Sequence, residues 1–496
     1  MIPLEYRLRE PVRVEQAADG GWMVVSESPL TVLRVNAAAA RLLEGARCGA
    51  SVGAVVTSHG VSEERALALC EYFRGRGILD VRRTALEHDF TPTVTVIVPT
   101  RDRADDLDRC LAAVSRLDYP PDQLEVVVVD DASRDPGTIV EVAAHHGVRL
   151  LVNEENRGPS YSRNRASFES ASDVLAFVDS DCVPGPAWLR ELVPHFLWDR
   201  VGAVGGRTVG YRIESPLDRY EEVSSPLDMG RRLLLGTRGQ DTFYVPTCNL
   251  LVRRTAYLAL GGLREDLLVG EDVDFCWRLR ATGAYLVYAP EGVVRHKHRD
   301  NLGSMLRRRA SYGTSEAALH VLHPDKRKRF PVAPAALATG VVLSAALIGR
   351  QPRLLAACVV PPLWDGARRI LNLRRNGVRV PARSVWTSVL RGHLSTVYSA
   401  YFHLVRYYLG PLAAIGLLTR GAWVLGGVAI ACSSAVDYSI RRPRLSYPLY
   451  LGYYLAEHAA YQAGVVAGCV RTGSFGSYSL RLQVRTGTDG RAPLAG

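Results

Sequence analysis

The chain has 496 residues, room for about three domains, and its 47% apolar content excludes a disordered tail. The formal net charge is +11, but the basic runs Lys326–Arg329, Arg368-Arg369, Arg374-Arg375 and Arg441-Arg442-Pro443-Arg444 all flank apolar stretches in the last third. That placement favours an anionic membrane surface and argues against nucleic acid as a partner. Nine cysteines without a Cys-x-x-Cys pair fit reduced thiols in the cytosol, and the first ten residues lack the apolar stretch of a signal peptide.

Residues 1–88 read as a small α+β domain. Tyr6–Val14 and Trp22–Val25 are expected as strands joined by a turn at Asp19-Gly20-Gly21, with Leu30–Val35 as a third. Asn36 caps a helix over Ala37–Glu44 that stops at Gly45. A second helix starts near Ser62 with Leu67, Leu69, Tyr72 and Phe73 on its apolar face, and Gly77–Val81 closes the unit. Nothing here looks catalytic. The strand-turn-strand start, the pattern around Asn36 and the Gly77-Ile-Leu ending resemble the winged-helix precursor-recognition domains of the PqqD-like family, which implies a peptide-binding module. The alternative is a structural appendage to the next domain.

After a linker at 89–92, residues 89–325 form the main domain. Val94–Thr100, Leu124–Asp131, Val148–Asn153 and Leu175–Asp179 are short Val/Ile/Leu runs, each preceded by a helix-length segment after the first. Such alternation predicts a mostly parallel sheet with helices on both faces, and ligands then bind at the carboxyl ends of the strands. Pro99, Thr100, Arg101, Asp130, Asp131, Asn153, Asp179 and Asp181 all fall at those ends.

Alternate residues of a strand share a face, so Asp179 and Asp181 converge and need a cation between them. Hard oxygen ligands suit Mg²⁺ or Mn²⁺. Of Asp130 and Asp131, one can accept the ring N–H of a pyrimidine and the other contact a ribose. Asn156, Arg157 and Gly158 open a helix that carries Arg163 and Asn164, a natural diphosphate site. Asn249–Arg254 reads as a returning strand and Gly261-Gly262-Leu263 as a sharp turn. Glu271, Asp272 and Asp274 then start a helix. Helix-start stabilisation accounts for Glu271 and Asp274, and Asp272 is placed to act as a general base.

These pieces, in this order, resemble family 2 glycosyltransferases with the GT-A nucleotide-diphospho-sugar fold. The resemblance implies inverting transfer from a nucleoside diphosphate sugar, with Asp130 or Asp131 on the base, Asp181 on the metal and Asp272 as catalytic base. It also makes His296, in Val294-Arg-His-Lys-His298, a candidate third metal ligand, against two exposed loop histidines. The Gln-x-x-Arg-Trp signature of processive synthases is missing, and Arg307-Arg-Arg-Ala-Ser-Tyr312-Gly313 stands in its region. The 208–246 segment, with Tyr211, Arg212, Tyr220, Arg231, Arg232 and Tyr244, is assigned to acceptor recognition.

Residues 326–496 are expected as a helical, membrane-associated region at the cytoplasmic face, with two or three embedded helices. Val332–Gly349 is 18 residues without a charge, Leu354–Trp364 is broken by Pro361-Pro362, and Leu409–Thr419 and Gly421–Val436 are split by Arg420. Tyr447–Val470 contains Glu457 and His458, which argue against a simple span, and buried amphipathic helices are the alternative.

As a whole, this order of parts resembles the glycosyltransferase family of the mycofactocin system. That resemblance implies UDP-glucose as donor and a peptide-derived small-molecule acceptor, or a precursor peptide or pathway protein, carrying a short β-linked oligosaccharide. The rivals are a transferase for cell-surface polysaccharide or glycolipid, and a non-catalytic scaffold for a precursor.

Overall fold

The computed structural model describes residues 4–17, 20–28, 30–59, 61–84, 90–237, 241–299, 301–326, 329–479 and 481–484. Asp19 of the expected turn, residue 89 of the linker and Arg327-Lys328 of the basic run lie outside them. The chain clusters into two compact units, one of residues 1–86, 329–436 and 480–496, the other of residues 87–328 and 437–479.

In the first unit the single strand expected over Tyr6–Val14 is two strands in two sheets. Leu4–Leu8 pairs antiparallel with Leu79–Arg83 and Ala50–Ser51, while Val12–Gln16 joins Trp22–Glu27 and Leu30–Val35. Pro11 sits at the break and has no N–H to donate to a ladder. Helix Ala37–Gly45 is capped as expected, with Asn36 Oδ1 accepting from the Ala39 N–H at 2.8 Å, and Glu63–Gly75 is capped by Ser62, whose Oγ accepts from the Arg65 N–H at 3.3 Å. An additional helix, Val52–His59, has a sequence rich in β-branched residues and glycine, whose weak helix propensity hides it.

The later part of this unit is helical. The stretch expected as an 18-residue span forms Pro334–Ile348, a 15-residue helix of about 22 Å, shorter than a hydrocarbon core of about 30 Å. Pro361 and Pro362 lie in the first turn of Val360–Arg375, where a proline starts a helix; the break falls before them, after Pro352–Ala357. Leu409 to Gly416 ends the 35-residue helix Ala382–Gly416. Among the described residues, one helix is long and apolar enough by length and composition to cross a membrane, Arg420–Arg441 with a mean hydropathy of 1.4.

The second unit is built on a nine-stranded sheet. Val174–Phe177, Val94–Thr100, Leu124–Asp130 and Arg149–Val152 lie side by side and parallel, so the four strands read from the sequence end at one edge. Leu250–Arg253 then runs antiparallel to both Val174–Phe177 and Val201–Gly210. Tyr285–His296 pairs parallel with Val201–Gly210 and antiparallel with Cys182–Pro184 and Leu234–Gly236. The sheet is therefore mixed rather than mostly parallel. Ile97, Val127, Leu175, Phe177, Leu250, Tyr257, Phe275 and Tyr288 share its core, each such side chain contributing about 1.5–3 kcal/mol on burial.

Helix Tyr447–Thr472 belongs to this unit and packs along helix Leu302–Leu322 at backbone contact. A β-carbon on Gly464 would lie 1.9 Å from the Ala310 carbonyl oxygen, and one on Gly313 would lie 2.2 Å from that of Tyr461. Glu457, which spoiled this stretch as a span, accepts from Tyr220 Oη at 2.8 Å and stands 3.5 Å from Arg309 Nε, while Arg309 Nη2 donates to Glu221 at 2.6 Å. Gly464→Ala is expected to destabilise this unit by about 1–3 kcal/mol through overpacking. The change reads as a lower Tm, whereas Gly452→Ala on the same helix, with nothing within 4 Å, raises Tm slightly because alanine favours the helix.

Candidate active site

The edge where the four parallel strands end carries two buried polar atoms without a hydrogen-bond partner. Thr100 and Asp130 are cross-strand neighbours, and Thr100 Oγ1 and Asp130 Oδ2 are both unpartnered among the described residues. Asp130 Oδ1 accepts from Ser133 Oγ at 2.5 Å and from its N–H at 3.1 Å. Asp131 is different. Its Oδ1 accepts from Asn153 Nδ2 at 2.9 Å and the Arg157 N–H at 3.0 Å, and its Oδ2 accepts from the Gly158 N–H at 2.8 Å. Of the two acids, Asp131 holds the turn before helix Pro159–Glu169, and Asp130 keeps an oxygen for a ligand.

Around that turn, Pro99 is buried and Asn156 and Arg101 are exposed, and Gly158 takes φ +87°, a conformation open to glycine. Asn164 does not face the strand ends with a free group. Its amide donates to the Leu263 carbonyl and to Glu265, and its oxygen accepts from Tyr257 Oη at 2.6 Å and the Leu263 N–H at 2.9 Å. It fastens the 261–263 turn to the helix, in place of the expected nucleotide contact.

Arg163 is 3% exposed and bridges two acids, with Nη2 donating to Asp179 Oδ1 at 2.5 Å and Nη1 lying 3.5 Å from Glu271 Oε1. Arg103 donates to Asp181 Oδ2. The positive charge that Asp179 and Asp181 call for is thus supplied in part by two guanidiniums. Burial alone would raise the Asp181 carboxyl, but His296, Arg103 and Arg299 outweigh it and hold it below the usual carboxylate range.

His296 and His298 are both buried, not exposed loop residues. His296 Nε2 is 3.5 Å from Asp181 Oδ1 and its Nδ1 has no hydrogen-bond partner among the described residues. Asp181, Cys182 and His296 each bring a ligand atom to within 4.8 Å of the others. An ionised carboxylate and an imidazole suit a divalent cation, while burial, with Cys248 beside it, pushes the Cys182 thiol well up and keeps it protonated. Asp179 is outside that group, engaged by Arg163. The residues therefore fit a metal held by Asp181 and His296. Burial and the nearby His296 lower His298 to about 4, and its Nδ1 lies 3.6 Å from Glu221.

Helix Glu271–Ala281 begins at Gly270, in the left-handed region at φ +87°. Asp274 spends its carboxylate on Arg278 at 2.7 Å and His323 at 2.8 Å, a structural role. Asp272 has no ion-pair partner among the described residues, and accepts only the Val273 N–H at 2.8 Å. Burial, then the adjacent Glu271, raises its carboxyl to about 7, a value suited to a general base. Arg308, singled out for nothing in the sequence beyond its place in a basic run, reaches this region. Burial disfavours its charge, but Tyr312, Glu271 and Asp179 keep it protonated, and its Nε donates to Tyr312 Oη at 3.2 Å. Within the 208–246 segment, Tyr220 is tied to Glu457, Arg231 and Arg232 are exposed, and Tyr244 is the member whose phenol is pushed up by burial and by the charge of Asp272.

Residues 95–261 match the family model for Glycosyl transferase family 2. With its acids at the strand ends of a mixed sheet, this unit has a GT-A-like glycosyltransferase fold, and the protein is a glycosyltransferase. Over 410 residues it is 33% identical to the pre-mycofactocin glycosyltransferases of Mycobacterium tuberculosis strains CDC 1551 and H37Rv, an alignment that takes in 79% of this chain and 82% of theirs. The chain belongs to that family. It is also 29% identical over 236 residues to the glycosyltransferase AglE of Haloferax volcanii, covering 47% of this chain and 75% of that one. A solved structure, the mannosyltransferase PcManGT from Pyrobaculum calidifontis in complex with GDP-Man and Mn²⁺, is similar at 19% identity and a TM-score of 0.38, covering 64% of this chain and 90% of that chain.

A base with a raised value sets the acid limb of the rate. We expect kcat/KM to fall about tenfold per pH unit below about 7, because protonated Asp272 cannot accept a proton. The same shift favours the fold fully only below about pH 4, and that contribution is lost as pH rises through about 7. Asp272→Asn should then raise Tm at pH 8 relative to the parent, and a lower Tm there would contradict the assigned ionisation.

Proposed function

We propose that this enzyme transfers glucose from UDP-glucose, with inversion, onto the peptide-derived redox cofactor mycofactocin or its precursor and extends it to a short β-linked oligosaccharide. The observation that carries the reading is the pairing, in one unit, of an Asp130 oxygen at the strand ends that has no partner among the described residues with a half-buried Asp272 raised to about 7. Membership of the family named for pre-mycofactocin supplies the acceptor.

In this reading Thr100 and Asp130 receive the uracil, and Arg308 lies where charge builds on the leaving diphosphate. Asp272 takes the proton of the acceptor hydroxyl. The hydroxyl oxygen of the acceptor forms the new bond to the anomeric carbon as the bond to the diphosphate oxygen breaks, and UDP departs with that electron pair. A Mn²⁺ or Mg²⁺ ion on Asp181 and His296 would offset charge on the departing phosphates. Arg163 holds Asp179 and Glu271 at the site without contacting the reacting atoms.

The domain assignment follows the same reading. Residues 1–88 act as a PqqD-like peptide-recognition module, 89–325 as the transferase, and 326–496 as the region that meets the cytoplasmic face of the membrane. Support for the last comes from apolar side chains left in the open, among them Trp364 at 56%, Leu417 at 81%, Leu418 at 87% and Trp423 at 57% exposure. Scattered single exposures are ordinary, but runs of them beside basic residues mark lipid contact. The protein should therefore float with vesicles containing anionic lipid and lose that association in high salt; recovery in the soluble fraction would remove the membrane from the proposal.

Calorimetric titration of UDP-glucose, GDP-mannose and UDP in the presence of Mn²⁺ tests the donor. Uridine binding that Asp181→Ala loses is expected, and Asp272→Asn should bind donor while its transfer rate falls at least about a hundredfold. A preference for the guanosine donor would overturn the glucose assignment. Binding of no nucleotide would favour a precursor-binding scaffold instead.

A further inference from the structure

Besides Asp181, Cys182 and His296, the second unit brings together another set of metal-ligating side chains. Asp108, His145 and His146 each carry a ligand atom within 4.8 Å of the other two. Asp108 lies on helix Ala104–Val114, and the histidines close helix Pro136–His145. Side chains of adjacent helical residues point about 100° apart, so neighbouring histidines do not ordinarily share a ligand. The helix end makes the difference here. Gly147 takes φ +63°, its N–H donates to the Ala144 carbonyl at 3.1 Å, and the Val148 N–H donates to that of Ala143 at 3.1 Å. This closing turn fixes the backbone of both histidines. Their rings stand edge to face, with centroids 5.0 Å apart and planes at 83°. Asp108 Oδ1 lies 2.8 Å from His146 Nε2 and holds that ring, while the His145 ring makes no hydrogen bond or ion pair among the described residues. The Asp108 side chain is 51% exposed, so an ion reaches it from solution.

Two imidazoles and a carboxylate suit zinc, with the fourth tetrahedral position left to water. Imidazole nitrogen favours Zn²⁺ over Mn²⁺ and Mg²⁺, so this set differs in preference from Asp181 and His296, which offer one imidazole and one carboxylate. We propose that Asp108, His145 and His146 form a second metal site, which binds Zn²⁺ and is separate from the donor metal. Its role follows from where its two helices begin. Helix Ala104–Val114 follows the strand that ends in Thr100, and helix Pro136–His145 follows the strand that ends in Asp130. An ion shared by these helices ties together the two strand-to-helix segments that carry this cross-strand pair.

Isothermal titration of Zn²⁺ into the full chain, freed of metal by a chelator, tests the site in an Asp181→Ala background that removes the donor metal. One equivalent of Zn²⁺ is expected to bind. Adding His145→Ala with His146→Ala, or Asp108→Asn, should weaken it at least about tenfold. Mn²⁺ should bind the same background at least about a hundredfold more weakly than Zn²⁺. Zinc should also raise the Tm of the Asp181→Ala protein and leave that of the further variants unchanged. Without zinc, a Tm within about 2 °C of the background shows that the variants fold. Zinc binding that survives the substitutions overturns the proposal, as does an Asp181→Ala protein that binds no zinc. Loss in the histidine variant but not in Asp108→Asn overturns it too, since two surface imidazoles alone then hold the ion.

Discussion

A single buried guanidinium ties the active site together. Arg163 rises from the helix that follows the Gly158 turn and touches Asp179 at one end and Glu271 at the other. Those acids belong to a strand end and to the start of the helix that carries Asp272. Removing one partner of a buried charge network costs about 3–5 kcal/mol, because the charges left behind stay buried. Arg163 therefore sets the separation between the donor end of the site and its base, although it has no reacting atom to touch. The raised carboxyl of Asp272 depends on the same arrangement, since Glu271 is one of its causes and Arg163 restrains Glu271.

Paired acids at strand ends prove to do unlike work. Asp131 and Asp179 are spent on the protein, one on the Arg157-Gly158 turn and one on Arg163, whereas Asp130 keeps a lone oxygen and Asp181 faces His296. A carboxylate that already accepts three N–H groups gains little from a further donor, while an unpartnered buried oxygen gains a great deal. The chemistry of each acid is decided by which hydrogen bonds the local backbone has already given it.

That distinction was beyond sequence reasoning, which places residues on strand ends but does not know their partners. Continuous Val/Ile/Leu runs revealed the four parallel strands and hence Thr100, Asp130, Asp179 and Asp181 at one edge. The antiparallel strand Leu250–Arg253 was legible as a strand but not in direction, because local pattern carries no orientation. Arg308 looked like one member of a basic run, and only the packing of helix Leu302–Leu322 brings it to the site. Tyr447–Thr472 read as a spoiled membrane span because Glu457 has a meaning only beside Arg309 and Tyr220. Ionisable residues in an apolar stretch recorded a buried partner 148 residues earlier in the chain, as the pair Arg309 and Glu457 shows.

The glycine contact between helices Leu302–Leu322 and Tyr447–Thr472 has a consequence for how the enzyme is made. Residues 87–328 leave the ribosome before residues 329–436, and those in turn precede the closing helix. At about 5–20 residues per second that interval lasts on the order of ten seconds. During it, the face of helix Leu302–Leu322 that Gly464 and Gly468 later cover stays bare, and Arg309 lacks Glu457. The nascent transferase carries an uncovered surface for the length of that delay, and its catalytic unit becomes complete only when the closing helix has emerged.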